Sequence, residues 1–425
     1  MSPNFKFNLL AITIFLFVLH PVSSQELVRV TPEEVGMSSE RLGRVTGVFN
    51  EYVEAGKIAG SVILVMRKGK VAYFEAFGYR NMEDKLIMER NTIFRIASQT
   101  KAITSAGIMM LQEQGKLLIS DPLSKYIPEF EKTKIAVQKE NESEYEIVDA
   151  NRQITIRDLL THTAGIGYGW GLAQKEWEDA GILGWYFADR DEPISTTVGR
   201  MASLPMSEQP GQKFVYGYST DILGIVIERA SGMPLDAFIE LNILKPLGMV
   251  DTYFYLPPQK ANRLSVVYSA TNTGGITKAP DPGNMIGQGA YLEGPRKSFS
   301  GGAGLLSTAE DFARFLLMMF NEGELNGHRL LAPSTIKLMT SNHLRDIPYS
   351  PGRGFGLGFE VVLDAGARGI PGSVGEYGWG GAYGSNYWVD PEEKLIIVYF
   401  KQLIPTNGLD DAGKLRSLIY QAIVD

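Results

Sequence analysis

The sequence predicts an α/β fold of the α+β type: an antiparallel sheet built from both chain termini, flanked by helices, plus a mainly helical lobe. Three observations predict it. A helix-periodic segment and two strand-like runs stand near the start, two more strand-like runs and a helix stand at the end, and the middle is rich in helical spacing and Gly/Pro loops.

Residues 38–57 form the first helix, with Leu42, Val45, Val48, Phe49, Tyr52 and Val53 along one face. Runs 60–66 and 71–77 are strand-like, and Arg67-Lys68-Gly69-Lys70 joins them as a hairpin. At the far end, 376–390 and 394–401 read as strands around Asp390-Pro391-Glu392-Glu393, and a helix over about 409–424 closes the chain. Sheet strands from both ends require one interleaved unit. The expected organisation is a single domain, 25–425, whose α/β lobe takes about 25–116 and 293–425. The helical lobe takes about 117–292, with charged residues 131–152 as a surface excursion. Ser307-Thr308-Ala309-Glu310 fits a capping box ahead of Phe312, Phe315, Leu316 and Met319.

Ahead of this unit, Lys6 precedes an apolar run over 9–19 that is too short to span a bilayer comfortably. Val22-Ser23-Ser24 then supplies small residues for cleavage. Residues 1–24 are expected to be a signal peptide, giving a periplasmic or secreted protein with no stable membrane insertion after its removal.

The 425 residues are 44% hydrophobic and 21% charged, enough for an ample core. A net charge of −7 argues against a general affinity for nucleic acid. The absence of cysteine excludes a disulfide framework, a thiol nucleophile, a cysteine metal site and a lipid-modified cysteine. His328 and His343 have no ligand spacing with carboxylates, so neither metal nor cofactor is expected. The glycine-rich runs 352–358 and 165–169 lack the strand–turn–helix context and lysine of a phosphate loop.

The chemistry centres on Ser98 and Lys101. The extended run 92–96 leads into helical spacing through Ile103, Ala106, Met109 and Met110, so Ser98 falls at a helix N-terminus with Lys101 on the same face. A lysine there can take the hydroxyl proton, and free N–H groups favour developing negative charge. Ser334 and Lys337 repeat the spacing, but they follow Pro333 at the head of an ordinary amphipathic stretch. Tyr216, in the loop 210–219, can relay a proton. The strand-like run through Gly378, Trp379, Gly380, Gly381 and Ala382 can present backbone N–H groups to an oxyanion; a bulge at a sheet edge accounts for the same glycines. His162 with Asp158 four residues earlier evokes a Ser-His-Asp triad, yet no Gly-x-Ser-x-Gly elbow exists, and His162 reads as structural. Tyr168, Trp170, Trp177, Trp185 and Tyr186 either pack the helical lobe or line an apolar pocket.

Taken together and in order, these segments resemble the serine β-lactamase and penicillin-binding superfamily. The resemblance is to the branch of class C β-lactamases, class VIII esterases and D-amino-acid peptidases. Ser98-Gln99-Thr100-Lys101, the runs 159–166, 210–216 and 301–311, and Trp379-Gly380-Gly381 carry it over nearly the whole mature chain. The resemblance implies a β-lactamase/D,D-peptidase fold. It also implies nucleophilic attack by Ser98, proton removal by Lys101, a shared proton role for Tyr216, and an oxyanion hole from the N–H groups of Ser98 and Ala382.

Two departures redirect the expected substrate. The usual Tyr-x-Asn motif reads Tyr216-Gly217-Tyr218, and the usual Lys-Thr-Gly lysine is Trp379. Gly380, Gly381, Trp379 and Tyr218 are therefore expected to contact a neutral, apolar group rather than a carboxylate. The leading expectation is an exported serine hydrolase cleaving small carboxylic esters through an acyl-enzyme. A β-lactamase or a D-amino-acid peptidase acting on short peptides is the alternative, and a non-catalytic penicillin-binding-like receptor follows.

Overall fold

The computed structural model describes residues 26–140 and 144–425, so the expected signal peptide lies outside the described residues. Five helices frame the molecule: α1 (Ser39–Glu54), α2 (Thr100–Glu113), α3 (Ser219–Ser231), α4 (Ala309–Phe320) and α5 (Asp411–Tyr420). The Ser38 side chain accepts from the Arg41 N–H to cap α1, which buries Leu42, Val45, Phe49 and Tyr52.

The eight strands of the main sheet are β1 (Gly60–Arg67), β2 (Lys70–Asn81), β3 (Leu86–Ile87), β4 (Arg353–Phe355), β5 (Glu360–Val362), β6 (Tyr377–Gly380), β7 (Asn386–Asp390) and β8 (Leu395–Lys401). Their order is β4-β5-β6-β7-β8-β1-β2-β3, antiparallel throughout. Lys68 and Gly69, with φ of 52° and 76°, make the two-residue turn between β1 and β2. The chain ends meet at β1 and β8, where Leu64 faces Val398. Period-two alternation then supplies two cores. Ile63, Val65, Ile397 and Tyr399 pack with α1 and α5, while Val62, Leu64, Val398 and Phe400 join the larger core of the helices on the other face.

Three local expectations change. The expected strand 376–390 is two strands, because the chain reverses over 381–385: the Gly381 N–H bonds the Ser385 carbonyl at 2.7 Å and the Gly384 N–H bonds the Gly381 carbonyl at 2.9 Å. The excursion 131–152 carries a hairpin, Lys134–Gln138 with Tyr145–Asp149. Its first strand is tied in by Ala136 N–H to Met206 carbonyl, with Ile135 and Ala136 buried. The cap of α4 is Thr308, which accepts from the Asp311 N–H, whereas Ser307 belongs to a short strand. No helix among the described residues is long and apolar enough to cross a membrane.

Candidate active site

Every residue from Thr92 to Leu111 is buried except Ser98, which is half-buried. The short strand Phe94–Arg95 pairs with Leu306–Ser307, and a single 3₁₀ turn, Ala97–Gln99, then feeds α2. Ala97 sits at a φ of 44°, a left-handed conformation that costs an alanine on the order of 1 kcal/mol. That kink lifts the serine out of the buried run. The copy at Ser334 and Lys337 lies on the helix Pro333–Met339 with both residues exposed and unconnected to this site.

Lys101 is 2% exposed. Its Nζ lies 3.4 Å from Ser98 Oγ, 2.9 Å from the Gly302 carbonyl and 3.1 Å from the Tyr168 hydroxyl. It also stands 4.7 Å from the centroid of the Tyr216 ring. The serine contact is the longest of the three, as is common for catalytic hydrogen bonds without substrate. The hydroxyl of Tyr216 accepts from Trp379 Nε1 at 3.0 Å, so the two residues form one aromatic wall. Burial, then Tyr216 and Asp221, push the Tyr168 hydroxyl well above its ordinary value, keeping it a neutral phenol beside the lysine.

One expected contact resolves differently, and two open readings are settled. Tyr218 is fully buried, stacks on Trp177 and donates to the Gly184 carbonyl at 2.6 Å; its place is the core of the helical lobe, away from the cleft lining, which corrects the expected substrate contact. The aromatic cluster divides: Tyr168 and Trp185 line the cleft, Trp177 packs, Tyr186 is buried with its hydroxyl accepting from the Ala290 N–H, and Trp170 is exposed. His162 packs 4.7 Å from the Tyr216 ring, and burial followed by the Lys101 charge lowers its pKa well below the usual histidine range. Asp158 instead binds Arg152 at 2.6 and 2.9 Å, so no triad forms.

The reversal between β6 and β7 brings Ala382 to the serine. Tyr383 is fully buried in a small cluster with Ala97, Val267 and Ala279, which fastens the reversal to the serine turn. A Cβ on Gly381 would fall 2.6 Å from the Ile96 carbonyl oxygen, so only glycine allows this approach. Among the described residues no acceptor takes the N–H of Ser98 or of Ala382. Two free donors beside a nucleophile are what an oxyanion needs.

A deeper layer went unread in the sequence. Asp221, 1% exposed at the start of α3, accepts from Ser300 Oγ at 2.5 Å and from the Gly302 N–H at 3.1 Å. Burial raises its pKa, and the Lys101 charge opposes that rise. An acid at the foot of an apolar helix, ahead of a glycine-rich loop, was the available signal.

The cleft holds about 540 Å³. Tyr168, Trp185, Tyr216 and Trp379 surround Ser98, and Arg353, Arg368 and Arg416 lie with Glu360 and Glu376 along the β6 side. No group of three or more His, Asp or Glu side chains that could hold a metal occurs among the described residues.

The model of the Beta-lactamase family matches residues 45–420. The chain is 32% identical over 378 residues to Protein Rv1367c of Mycobacterium tuberculosis, covering 86% of this chain and 91% of that protein. It is 31% identical over 378 residues to Esterase EstB of Burkholderia gladioli, covering 84% and 88%. Among solved structures, EstCE1, a hydrolase with promiscuous acyltransferase activity, matches with a TM-score of 0.78 at 27% identity over 90% of this chain and 99% of that one.

Proposed function

The chain belongs to the Beta-lactamase family and is a serine hydrolase, and from that premise we propose that it hydrolyses carboxylic esters through an acyl-enzyme on Ser98. Ser98 Oγ attacks the ester carbonyl as its proton passes to Lys101 Nζ, which enters the step as the neutral amine. The tetrahedral oxyanion accepts from the N–H groups of Ser98 and Ala382. Tyr216 gives its hydroxyl proton to the departing alkoxide as the C–O bond to the alcohol breaks, and the proton held on Lys101 restores the Tyr216 hydroxyl. Water then attacks the acyl-serine, releasing a carboxylic acid and restoring the Ser98 hydroxyl.

The observation carrying the preference for esters is Trp379. An indole bonded to the Tyr216 hydroxyl at 3.0 Å stands beside the reacting centre, where a lysine would attract a substrate carboxylate. The same reading takes the enzyme as exported, supported by the apolar run at 9–19.

Turnover of a short p-nitrophenyl ester and of nitrocefin tests the reaction, with intact-mass detection of the Ser98 adduct. Ester hydrolysis and fluorophosphonate labelling, both lost in Ser98→Ala, are expected. Strong nitrocefin turnover without esterase activity overturns the ester assignment, and labelling that survives Ser98→Ala overturns the nucleophile. Cell fractionation tests export.

A further inference from the structure

A second cavity, about 520 Å³, shares no lining residue with the Ser98 cleft. Arg95 contributes to its lining, three residues before the serine, and is only 3% exposed. Its guanidinium is held by neutral acceptors: Nε donates to the Gln288 carbonyl, and Nη1 donates to the Ser265 carbonyl at 2.6 Å and to Gln402 Oε1 at 3.4 Å. The Tyr291 ring centroid lies 5.8 Å away. Among the described residues no carboxylate forms an ion pair with Arg95, and no acceptor takes its Nη2.

Arginine keeps its charge under nearly all conditions, and buried charges are ordinarily paired. Burial disfavours the cation here, opposed by Tyr383, Tyr291 and Tyr186 and then by Asp281. The other charged lining groups form no ion pair with it. Arg80 is committed to the Ile87 carbonyl and Glu89, and Lys278, Asp281 and Glu293 are exposed.

We propose that this cavity binds a small organic oxyanion, a carboxylate or phosphate group pairing with Arg95 Nη2. A charge-assisted bond from a planar guanidinium suits such a group. The remaining volume accommodates a body larger than the anion alone. Because Gln402 bonds both the Arg95 N–H, at 3.1 Å, and its carbonyl, also at 3.1 Å, an occupant braces the strand that leads into the Ala97 kink.

Calorimetric titration with benzoate and with inorganic phosphate tests the site and separates the two anion sources. Crystals soaked in 4-iodobenzoate locate it. Saturable heat is expected with at least one anion, lost in Arg95→Gln and in Ala261→Trp, which obstructs the cavity from the segment Pro258–Arg263. Iodobenzoate density is expected against Arg95. Should Arg95→Gln fail to fold, Ala261→Trp carries the comparison. No saturable heat, heat undiminished in the folded variants, or iodine density confined to the Ser98 cleft overturns it.

Discussion

Asp221 and Lys101 hold the two polar backbone atoms of Gly302 between them. Asp221 Oδ1 accepts the Gly302 N–H at 3.1 Å, and Lys101 Nζ donates to the Gly302 carbonyl at 2.9 Å. The two side chains make no direct ion pair, so the acid orients the lysine through the loop. Asn at 221 keeps an acceptor but removes the charge that fixes this loop. Asp221→Asn is expected to lower kcat about 10- to 100-fold with KM little changed, since small misplacements of a base are costly. Removing a buried carboxylate leaves Tm equal or higher. Steady-state kinetics beside a thermal melt decide it: a lower Tm with unchanged kcat refutes the positioning role.

The approach of Gly381 to Ile96 predicts a second effect. In Gly381→Ala the new methyl must move the β6–β7 reversal away from the serine turn, because it meets backbone rather than a pliable side chain. Loss of alignment of one oxyanion donor costs about 3 kcal/mol of barrier, roughly 10²-fold or more in kcat. Fluorophosphonate labelling should slow in parallel while the far-UV spectrum stays native. Wild-type rates in this variant would remove Ala382 from the oxyanion site.

How far the sequence was legible follows a physical line. Strands β1, β2 and β8 and helix α1 were readable because burial imposes period two or 3.6 on their side chains. The reversal at 381–385 was not, since glycines carry no periodicity and Tyr383 points into a core that only the fold creates. Ser98 and Lys101 are three residues apart and share one turn, so spacing sufficed. Asp221 reaches Lys101 through Gly302, 81 residues later, and Tyr168 reaches it across 67 residues. Tyr218 misled because it lies beside Tyr216 in sequence, yet its ring turns inward to Trp177.

Trp379 and Tyr216 supply the third prediction. Trp379→Phe keeps an aromatic wall but loses the 3.0 Å hydrogen bond to the tyrosine hydroxyl. Tyr216→Phe deletes the hydroxyl itself. The tyrosine variant is expected to lose about 10²- to 10⁴-fold in kcat, the range for a proton-transfer group, and the tryptophan variant much less. Equal, small losses in both would show that the hydroxyl carries no proton in the rate-limiting step.

Asp311 predicts a pH dependence of stability. Burial raises its pKa to about 7, although the Asp251 N–H and the Thr252 hydroxyl bond it. Between its unfolded value near 4 and about pH 7, the folded state therefore holds more protons than the unfolded one. Stability from this group is present at low pH and falls as pH rises through that window. Relative to wild type, Asp311→Asn should gain Tm steadily from pH 4 to 7 and level off above it. A Tm difference independent of pH over that range contradicts the assignment.

Lys401 and Asp411 form an ion pair with both side chains 2% exposed, and the Tyr399 hydroxyl donates to the same carboxylate. Removing one partner strands the other charge in the core. Lys401→Met is thus expected to cost about 3–5 kcal/mol, whereas Lys401→Met combined with Asp411→Asn should recover most of that loss because no unpaired charge remains. Chemical denaturation of the two single variants and the double variant measures the coupling. The pair also reaches the active site: the Lys401 stem packs beside Gly384, and the Lys401 carbonyl accepts from Ser385 Oγ at 2.9 Å, both residues of the reversal that presents Ala382. If the ion pair holds that reversal, kcat should fall in Lys401→Met and return with stability in the double variant. Additive stability losses would mean that the lysine contributes through its stem alone.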